Sequence, residues 1–274
     1  MVSLDEILSP GKVETAFLDG LEFASVTILV TLLLEMISWK TACAAYKHNR
    51  KLYLQAVCLN FLNHYAYGIP VYMTAALLFI RDDDVNRTPF TVAGQVVAIL
   101  LVHSICYYEA HKTFHSCPGY YKYHKFHHRF NTYVPPMSAN AVGFVEYLVA
   151  YVLPFAVAGG IVRPYVTSIR WAVYIVSVTN LSIHTPKIEA WSERHIPAWW
   201  VSTHDHLEHH RKLNVHYAAP TMNIDWAVNA MVDAWTKKQQ QDTTGAVTSP
   251  PSPSPSCSSG CWPRPRSSSS SISG

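Results

Sequence analysis

Three clusters of histidine are the residues of this chain whose types and spacing point to chemistry. The first is an HxxxH motif and the others are HxxHH motifs, with their histidines at His111 and His115; His124, His127 and His128; and His206, His209 and His210. Residues i, i+3 and i+4 of a helix lie along one stripe of its surface. We therefore predict that the first motif presents two imidazoles to one point and that each HxxHH motif presents three.

The three motifs supply eight imidazoles, and His184 at the end of an apolar run is a plausible ninth. Because one zinc ion needs only four ligands, so many neutral nitrogens favour two metal ions with a position left open for oxygen or substrate. Zinc is redox-inert, whereas imidazole-bound non-haem iron can activate O2, so iron is the functional expectation. The remaining histidines are interpreted as structural or solvent-facing, with His204 left open as a ligand or ligand partner: His48, His64, His103, His195, His204 and His216.

The composition is that of a membrane protein. Charged residues make up 14% of the chain and hydrophobic residues 49%, against about 25% charged residues in soluble domains. The net charge of +3 is too small to indicate nucleic-acid binding. Six cysteines without a CxxC pair indicate neither a disulfide framework nor a zinc ribbon. The first residues lack the basic flank and apolar core of a signal peptide.

Apolar runs long enough to cross a bilayer predict an all-α, multi-span membrane helical bundle of four to five spans. The runs cover residues 21–39, 52–80, 90–109, 141–162 and 165–183, and Pro70 beside Gly68 is expected to kink the second. Polar residues inside the runs should face the bundle interior rather than lipid: Glu22, Glu35, His64, His103, Glu146 and Arg170.

The loops predict an orientation. Lys40, Lys47, Arg50 and Lys51 follow the first run, which marks that side as cytoplasmic by the positive-inside rule. The loop at 81–87 is net acidic and suits the opposite side. Following the runs along the chain, all three motifs reach the cytoplasmic face and the N-terminus lies on the lumenal side. We predict a membrane-embedded catalytic domain at 1–240 and a disordered Ser/Pro-rich tail at 241–274.

The order HxxxH, a nine-residue step, HxxHH and a distant HxxHH resembles the fatty acid hydroxylase/sterol desaturase superfamily of membrane-bound di-iron oxygenases. The resemblance covers about residues 100–235, including YYKYHKFHHRF and HDHLEHHRKLNVHYAAPTMNIDW. Membrane acyl desaturases also use three histidine boxes but leave a longer gap after the first, so the short gap favours the hydroxylase branch. The resemblance implies a helical bundle with a cytoplasmic histidine-rich cap over the metals.

The metal ligands that the resemblance implies are His111, His115, His124, His127, His128, His184, His206, His209 and His210. It also implies two non-haem iron ions, O2 as co-substrate, a small haem cytochrome with its NAD(P)H-dependent reductase as electron donors, and the endoplasmic reticulum membrane. Metal-bound imidazoles usually donate their second N–H to a carboxylate or carbonyl. Candidate acids for that position are Glu109, Glu146, Asp205 and Glu208.

The sequence departs from the family pattern at two places. Lys112 stands where the family usually has Arg, and His216-Tyr217-Ala218 stands where it often reads Asn-Tyr-Gly. Neither change removes a ligand, but both leave the substrate open among fatty acyl, sphingoid and sterol lipids. The main prediction is a lipid hydroxylase. The alternatives are a sterol desaturase using the same site and, in another class, a histidine-rich membrane metal transporter.

Overall fold

A computed structural model describes residues 8–82 and 87–247, and every regular element in those ranges is helical. The helices are α1 (Pro10–Ile37), α2 (Trp39–His48), α3 (Arg50–Phe61), α4 (Ile69–Phe79), α5 (Pro89–Ser116), α6 (Pro118–His124), α7 (Phe144–Glu146), α8 (Leu153–Val162), α9 (Val166–Ile183), α10 (Glu189–His195), α11 (Thr203–Lys212) and α12 (Ile224–Val247). Two π-helical segments, Leu62–Gly68 and Tyr147–Val152, join α3 to α4 and α7 to α8. The all-α prediction is confirmed.

The chain divides into two compact units, Met1–Ala230 and Met231–Gly274. The first contains all three histidine motifs. Helix α12 ends at Val247, so the first residues of the predicted disordered tail are helical. Residues 248–274, which make up most of that tail, lie outside the described residues, and the tail stays a prediction.

Four helices are long and apolar enough to cross a membrane, which indicates a multi-pass membrane protein. They are Pro10–Ile37, Pro89–Ser116, Phe144–Val162 and Val166–Ile183. The predicted run at 52–80 is helical over 50–79 but is interrupted by the first π segment, and it is not among these four candidates in the described part of the chain.

The helices alternate between two ends of the bundle. At one end, the Arg81 N–H donates to the Pro164 carbonyl at 2.8 Å, which joins the end of α4 to the turn between α8 and α9. Lys12 pairs with Asp82 there, at 3.5 Å. At the other end, Glu35 near the close of α1 accepts from the Met137 N–H at 2.6 Å. The histidine motifs lie at this second end, on the same side as Lys40 and Arg50.

A π segment, Leu62–Gly68, ends two residues before Pro70, where a kink is expected. Proline lacks an N–H and its ring crowds the preceding turn, and a wider π turn just before it relieves this conflict. Gly68 closes the segment because a Cβ there would lie 2.8 Å from the Asn63 carbonyl oxygen and 3.0 Å from the Tyr147 hydroxyl. Any larger residue would therefore distort the π segment at Asn63 and displace the Tyr147 hydroxyl.

Three charged residues of two spans form one cluster. Asp19 on α1 is buried and forms an ion pair with Arg170 on α9, and it also accepts from the Tyr72 hydroxyl at 3.3 Å. The prediction that all polar span residues face the interior is wrong for Glu22, whose side chain is 43% exposed. Glu22 instead lies at the edge of the cluster, 3.4 Å from Arg170, where the cation compensates its charge.

Arg170→Ala should destabilise the bundle, because it leaves the buried carboxylate of Asp19 without its cation. We expect a loss of about 3 kcal/mol in the free energy of unfolding. Thermal unfolding of the purified protein in detergent measures it. The double variant Asp19→Leu/Arg170→Met should recover most of the loss, and a double variant no more stable than Arg170→Ala would contradict the assignment.

Candidate metal centre

The first histidine motif lies on the last two turns of α5. His111 and His115 are one turn apart on the face that looks into the bundle, and their ring centroids are 5.0 Å apart. His111 is buried and His115 is partly buried. The helix ends at Ser116, and α6 begins at Pro118. This sharp connection brings the second motif back onto the first.

The second motif does not form one regular helix. His124 is the last residue of α6, whereas His127 and His128 lie in a 3-10 turn that ends at Arg129. All three side chains are buried. The second motif therefore combines the end of an α-helix with a 3-10 turn.

The third motif lies on α11, whose position is fixed at its start and on its exposed side. Ser202 and Asp205 form a capping box, in which the Ser202 hydroxyl accepts from the Asp205 N–H and the Asp205 carboxylate accepts from the Ser202 N–H. Arg211 donates two hydrogen bonds to Glu189 on α10, at 2.9 and 3.1 Å. His184, one residue beyond α9, completes the set.

These nine histidines form two groups, and within each group the ligand nitrogens lie within 4.8 Å of one another. The groups are His111, His115, His124, His128 and His209; and His127, His184, His206 and His210. Each i, i+4 pair stays together because residues one helical turn apart share a face. The prediction that each HxxHH motif presents three imidazoles to one point is therefore wrong: His127 and His209, at i+3, each belong to the other group.

The facing nitrogens are Nε2 atoms, and their separations match the edges of a metal coordination shell. In the first group, His128 Nε2 lies 2.8 Å from His124 Nε2, 3.1 Å from His115 Nε2 and 3.2 Å from His209 Nε2. In the second, His184 Nε2 lies 3.0 Å from His206 Nε2 and 3.3 Å from both His127 Nε2 and His210 Nε2. Nitrogens bound about 2.1 Å from one ion would be roughly 3.0–3.4 Å apart.

The outer ring nitrogens fix the tautomer of five histidines. The Nδ1 atoms of His111, His184, His209 and His210 donate to the backbone carbonyls of Tyr217, Asn180, Val215 and Phe130, respectively, and His124 Nδ1 donates to Glu146 Oε1. A neutral imidazole carries one proton, so Nε2 in these rings carries only a lone pair. The sequence did not indicate these four acceptors, because every residue has a backbone carbonyl and its residue type does not show which ones accept from a histidine.

This donor set fits metal ions. His111 and His124 face each other Nε2 to Nε2 at 3.0 Å, although both protons are committed to Nδ1. Two lone pairs in contact repel, and a hydrogen bond cannot join them. The Nε2 of His184 faces three other imidazole nitrogens and has no proton of its own to share. A cation between the nitrogens resolves both conflicts, and both groups consist entirely of imidazole donors among the described residues.

A short loop after α11 supplies two of the carbonyl acceptors. Its Val215 and Tyr217 carbonyls accept from His209 and His111, and His216 between them adopts a positive φ of 53°. Histidine is one of the residues that tolerate this conformation. Ala218 has no positive φ, so the loop needs no glycine there. Asp225 accepts from the Ala218 N–H at 2.6 Å and holds the loop in place.

The acidic candidates differ in position. Glu146 is buried, and its Oε1 lies 2.6 Å from His124 Nδ1, as expected of an acid that orients a ligand. Asp205 caps α11 instead. Glu208 pairs with Lys212 at 2.9 Å on the surface, and Glu109 is exposed. Among the described residues, Glu146 therefore makes the expected contact between a carboxylate and an imidazole of the two groups. The other three candidates, Asp205, Glu208 and Glu109, do not make it.

Outside the two groups, the remaining histidines take separate places. His48, on α2, and His195, on α10, are exposed. His204 forms an ion pair with Glu189 at 3.4 Å when protonated, on the outer side of α11. His64 and His103 lie inside the bundle and line a cavity of about 450 Å³ with largely apolar walls. The cavity also touches Tyr107, whose ring centroid is 5.4 Å from that of His111.

Burial lowers the pKa of the seven grouped histidines that lie outside the spans, because desolvation penalises the imidazolium form. The pKa falls to about 4 at His184, where the Asn180 carbonyl partly opposes the effect, and to about 3 at His209. At the others the pKa is well below the usual value, with neighbouring imidazoles adding to the effect of burial: His124, His127, His128, His206 and His210. The histidines are therefore neutral and able to bind metal at neutral pH.

Metal-free protein should lose stability as the pH falls below 6.5. The unfolded histidines then bind protons while the folded ones do not, so each of the seven removes up to about 1.4 kcal/mol per pH unit from the free energy of unfolding. Thermal unfolding of chelator-treated protein at pH 7, 6 and 5 measures the effect. A melting temperature independent of pH over this range would contradict it.

Comparison with protein families agrees with this geometry. A family model described as fatty acid hydroxylase matches residues 96–230, a range that contains all nine grouped histidines and Glu146. Comparisons with curated proteins and with solved structures give no match. Residues 96–230 of this chain are therefore similar to the fatty acid hydroxylase family.

Proposed function

We propose that this protein is a membrane-bound non-haem di-iron oxygenase that hydroxylates a C–H bond of a lipid, using O2 and external electrons. The observation that carries the proposal is the pair of adjacent imidazole groups whose lone pairs converge, beside an apolar cavity inside a membrane bundle. The family match supports an oxidoreductase acting on lipid.

The two groups would hold one iron each. Five imidazoles surround the first position and four the second, and neutral imidazole is a donor that iron accepts. When bound in its reduced form, an iron pair supplies the O2 activation that attack on an unactivated C–H bond requires. Zinc would also bind these nitrogens but could not perform redox chemistry.

The protein's own residues position the metals and the substrate. The carbonyls of Tyr217, Val215, Phe130 and Asn180, together with Glu146, keep five imidazoles in one tautomer and orientation. The cavity would hold the apolar part of a lipid beside the centre and exclude water from it. The carbon that lies nearest the metals would determine the position oxidised.

Basic residues surround the second motif and would receive an electron donor. Lys122, Lys125 and Arg129 are exposed, next to the buried His124, His127 and His128. Such a surface favours an acidic partner, here a small haem cytochrome reduced by an NAD(P)H-dependent reductase. The basic residues at this end also favour a cytoplasmic catalytic face, and the family resemblance implies the endoplasmic reticulum as the membrane.

A whole-cell lipid mass profile tests the proposal. A eukaryotic host with its own electron donors expresses the wild type, a His127→Ala/His128→Ala variant, and His195→Ala as a matched control outside both groups. We expect a lipid with one additional oxygen in wild-type and control cells and none in the double variant. Equal lipid profiles, with all proteins at similar levels in the membrane, would refute the oxygenase.

The same profile separates the alternatives. A lipid lacking two hydrogens would identify a desaturase that uses this site. A metal transporter would leave lipids unchanged and accumulate labelled metal in vesicles. Transport sites are typically found near the middle of the spans, whereas the grouped histidines lie at and beyond the ends of α5 and α9, which favours the oxygenase.

A further inference from the structure

A second groove lies on the outer surface of α3, apart from the cavity beside the metal centre. Its volume is about 740 Å³, and α3 contributes residues 50, 51, 54, 55, 58 and 59 to its walls. Residues spaced by four lie on one side of a helix, so this α3 groove follows the helix axis for about 14 Å. Phe126, between His124 and His127 of the second histidine motif, also lines the groove. None of these residues lines the cavity.

The lining of the α3 groove changes from charged to apolar along the helix. Arg50 and Lys51 lie at the start of α3, at the end of the bundle that carries the histidine motifs. Gln55, whose amide can donate hydrogen bonds, follows about one turn farther along. Cys58 and Leu59 lie about two turns from the cations. A phospholipid has its parts in the same order, with an anionic phosphate, ester groups that accept hydrogen bonds, and hydrocarbon chains.

The cations of the groove have no anion to pair with in the described part of the chain. Arg50 and Lys51 are exposed, and neither belongs to an ion pair between described residues. The first turn of α3 contains no acidic residue, although acids are favoured at that end of a helix. The Arg50 guanidinium lies over the Tyr46 ring, 5.6 Å from its centroid, which leaves the positive charge uncompensated. An anion in the groove would supply the missing negative charge.

The apolar end of the groove continues into an exposed apolar stripe. Its members are exposed and follow one another at helical spacing: Leu54, Cys58, Phe61 and Leu62. In a bundle that crosses a membrane, such a stripe is a surface for contact with lipid hydrocarbon. An acyl chain in the groove would therefore pass directly into the bilayer. A soluble acidic protein would reach the cations but not the stripe, which favours a lipid as the occupant.

We propose that the α3 groove binds an anionic phospholipid of the surrounding membrane, with its phosphate beside the two cations and one acyl chain along Leu54 and Cys58. Basic sites between helices at the membrane surface are suited to such headgroups. This lipid is distinct from a substrate in the cavity, and the inference does not depend on the proposed oxygenase. The bound chain would also cover Phe126 and so support the second motif from its outer side.

Native mass spectrometry of the metal-loaded full-length protein in a neutral detergent tests the inference without turnover. It counts bound lipid as dioleoylphosphatidylserine or dioleoylphosphatidylcholine is added. We expect one phosphatidylserine per chain to bind at a concentration at least about tenfold lower than phosphatidylcholine, because both cations favour the anionic headgroup. Glycerophosphoserine, the same headgroup without chains, should bind at least about tenfold more weakly than phosphatidylserine, because it leaves the apolar end of the groove unfilled.

A pair of charge variants locates the preference. Arg50→Gln/Lys51→Gln should abolish it. Lys40→Gln/Lys47→Gln removes the same charge from two exposed residues of α2 that do not line the groove, and it should keep the preference. An equal loss in both double variants would show a general effect of surface charge and overturn the inference.

A second variant fills the groove and leaves its cations in place. Cys58→Trp should weaken phosphatidylserine binding, whereas Leu33→Trp, on the exposed surface of α1, should not. Metal content and the melting temperature without lipid show whether each variant is folded. The inference is overturned if the wild type does not distinguish the two phospholipids, a result that needs no variant, or if the preference survives both the charge change and the filling of the groove.

Discussion

His128→Ala should remove metal from the first histidine group and abolish lipid oxidation. The Nε2 atom of His128 is the common neighbour of three other nitrogens in that group, at 2.8–3.2 Å. Its loss leaves a gap in the coordination shell, and two ions are needed for the proposed chemistry. We expect the metal content to fall from two ions per chain to one or none, and the amount of product to fall by at least about 100-fold. Removing the hydrogen-bond partner of a metal ligand costs about 10–100-fold in affinity or activity, and removing the ligand itself should cost more.

Metal analysis of the purified variant and the cellular lipid profile provide the two measurements. His195→Ala is the matched control, because His195 is exposed on α10 and belongs to neither group. A His128→Ala protein that retains two tightly bound ions and normal product would show that the convergence of nitrogens at this position is not a metal site.

Glu146→Ala should weaken metal binding although Glu146 belongs to neither group. Glu146 Oε1 accepts from His124 Nδ1 at 2.6 Å, and its side chain is 1% exposed. Without the acceptor, the His124 ring can rotate and its Nε2 is no longer fixed toward the first group. Losses of this kind cost about 10–100-fold in metal affinity or activity. Glu146→Gln keeps an oxygen acceptor and should retain most of both.

Competition with a chelator measures metal affinity, and product formation measures activity. Glu208→Ala is the contrasting variant, because Glu208 pairs with Lys212 on the surface and should have little effect on either. If Glu146 acts by positioning His124, the Gln variant should keep the metal affinity and the activity that the Ala variant loses. If the Ala and Gln variants lose metal equally, the carboxylate acts through its charge instead.

The sequence predicted the eight histidines of the three motifs and the helical bundle from local patterns, whereas His184 was proposed from its place at the end of an apolar run and from the family resemblance. The motifs place i, i+4 pairs on one face of a helix, and these pairs do stay together, as His206 and His210 show. The distribution of His127 and His209 between the groups was not predictable. It depends on how the helices pack, because the i+3 histidine belongs to the other group both in the 3-10 turn of the second motif and in the regular helix α11.

The residues that orient the imidazoles were also only partly predictable from the sequence. Glu146 could be proposed from its type, whereas the Val215 and Tyr217 carbonyls have no signature in the sequence. Their loop is defined by the positive φ of His216 and by the Asp225 contact to the Ala218 N–H. The departures from Asn-Tyr-Gly are accommodated here, because the residue with positive φ is His216 and not Ala218.

The division of each HxxHH motif between two groups also constrains how the protein matures. His128 faces His209, 81 residues later in the chain, and His127 faces His184, 57 residues later. Neither coordination shell can be complete while the ribosome is still translating the third motif. Until then the early histidines lack their partners, so under the proposed function metal insertion would follow synthesis of α11. Two ions held by these groups would act as cross-links that close long loops and oppose the separation of α11 from α5.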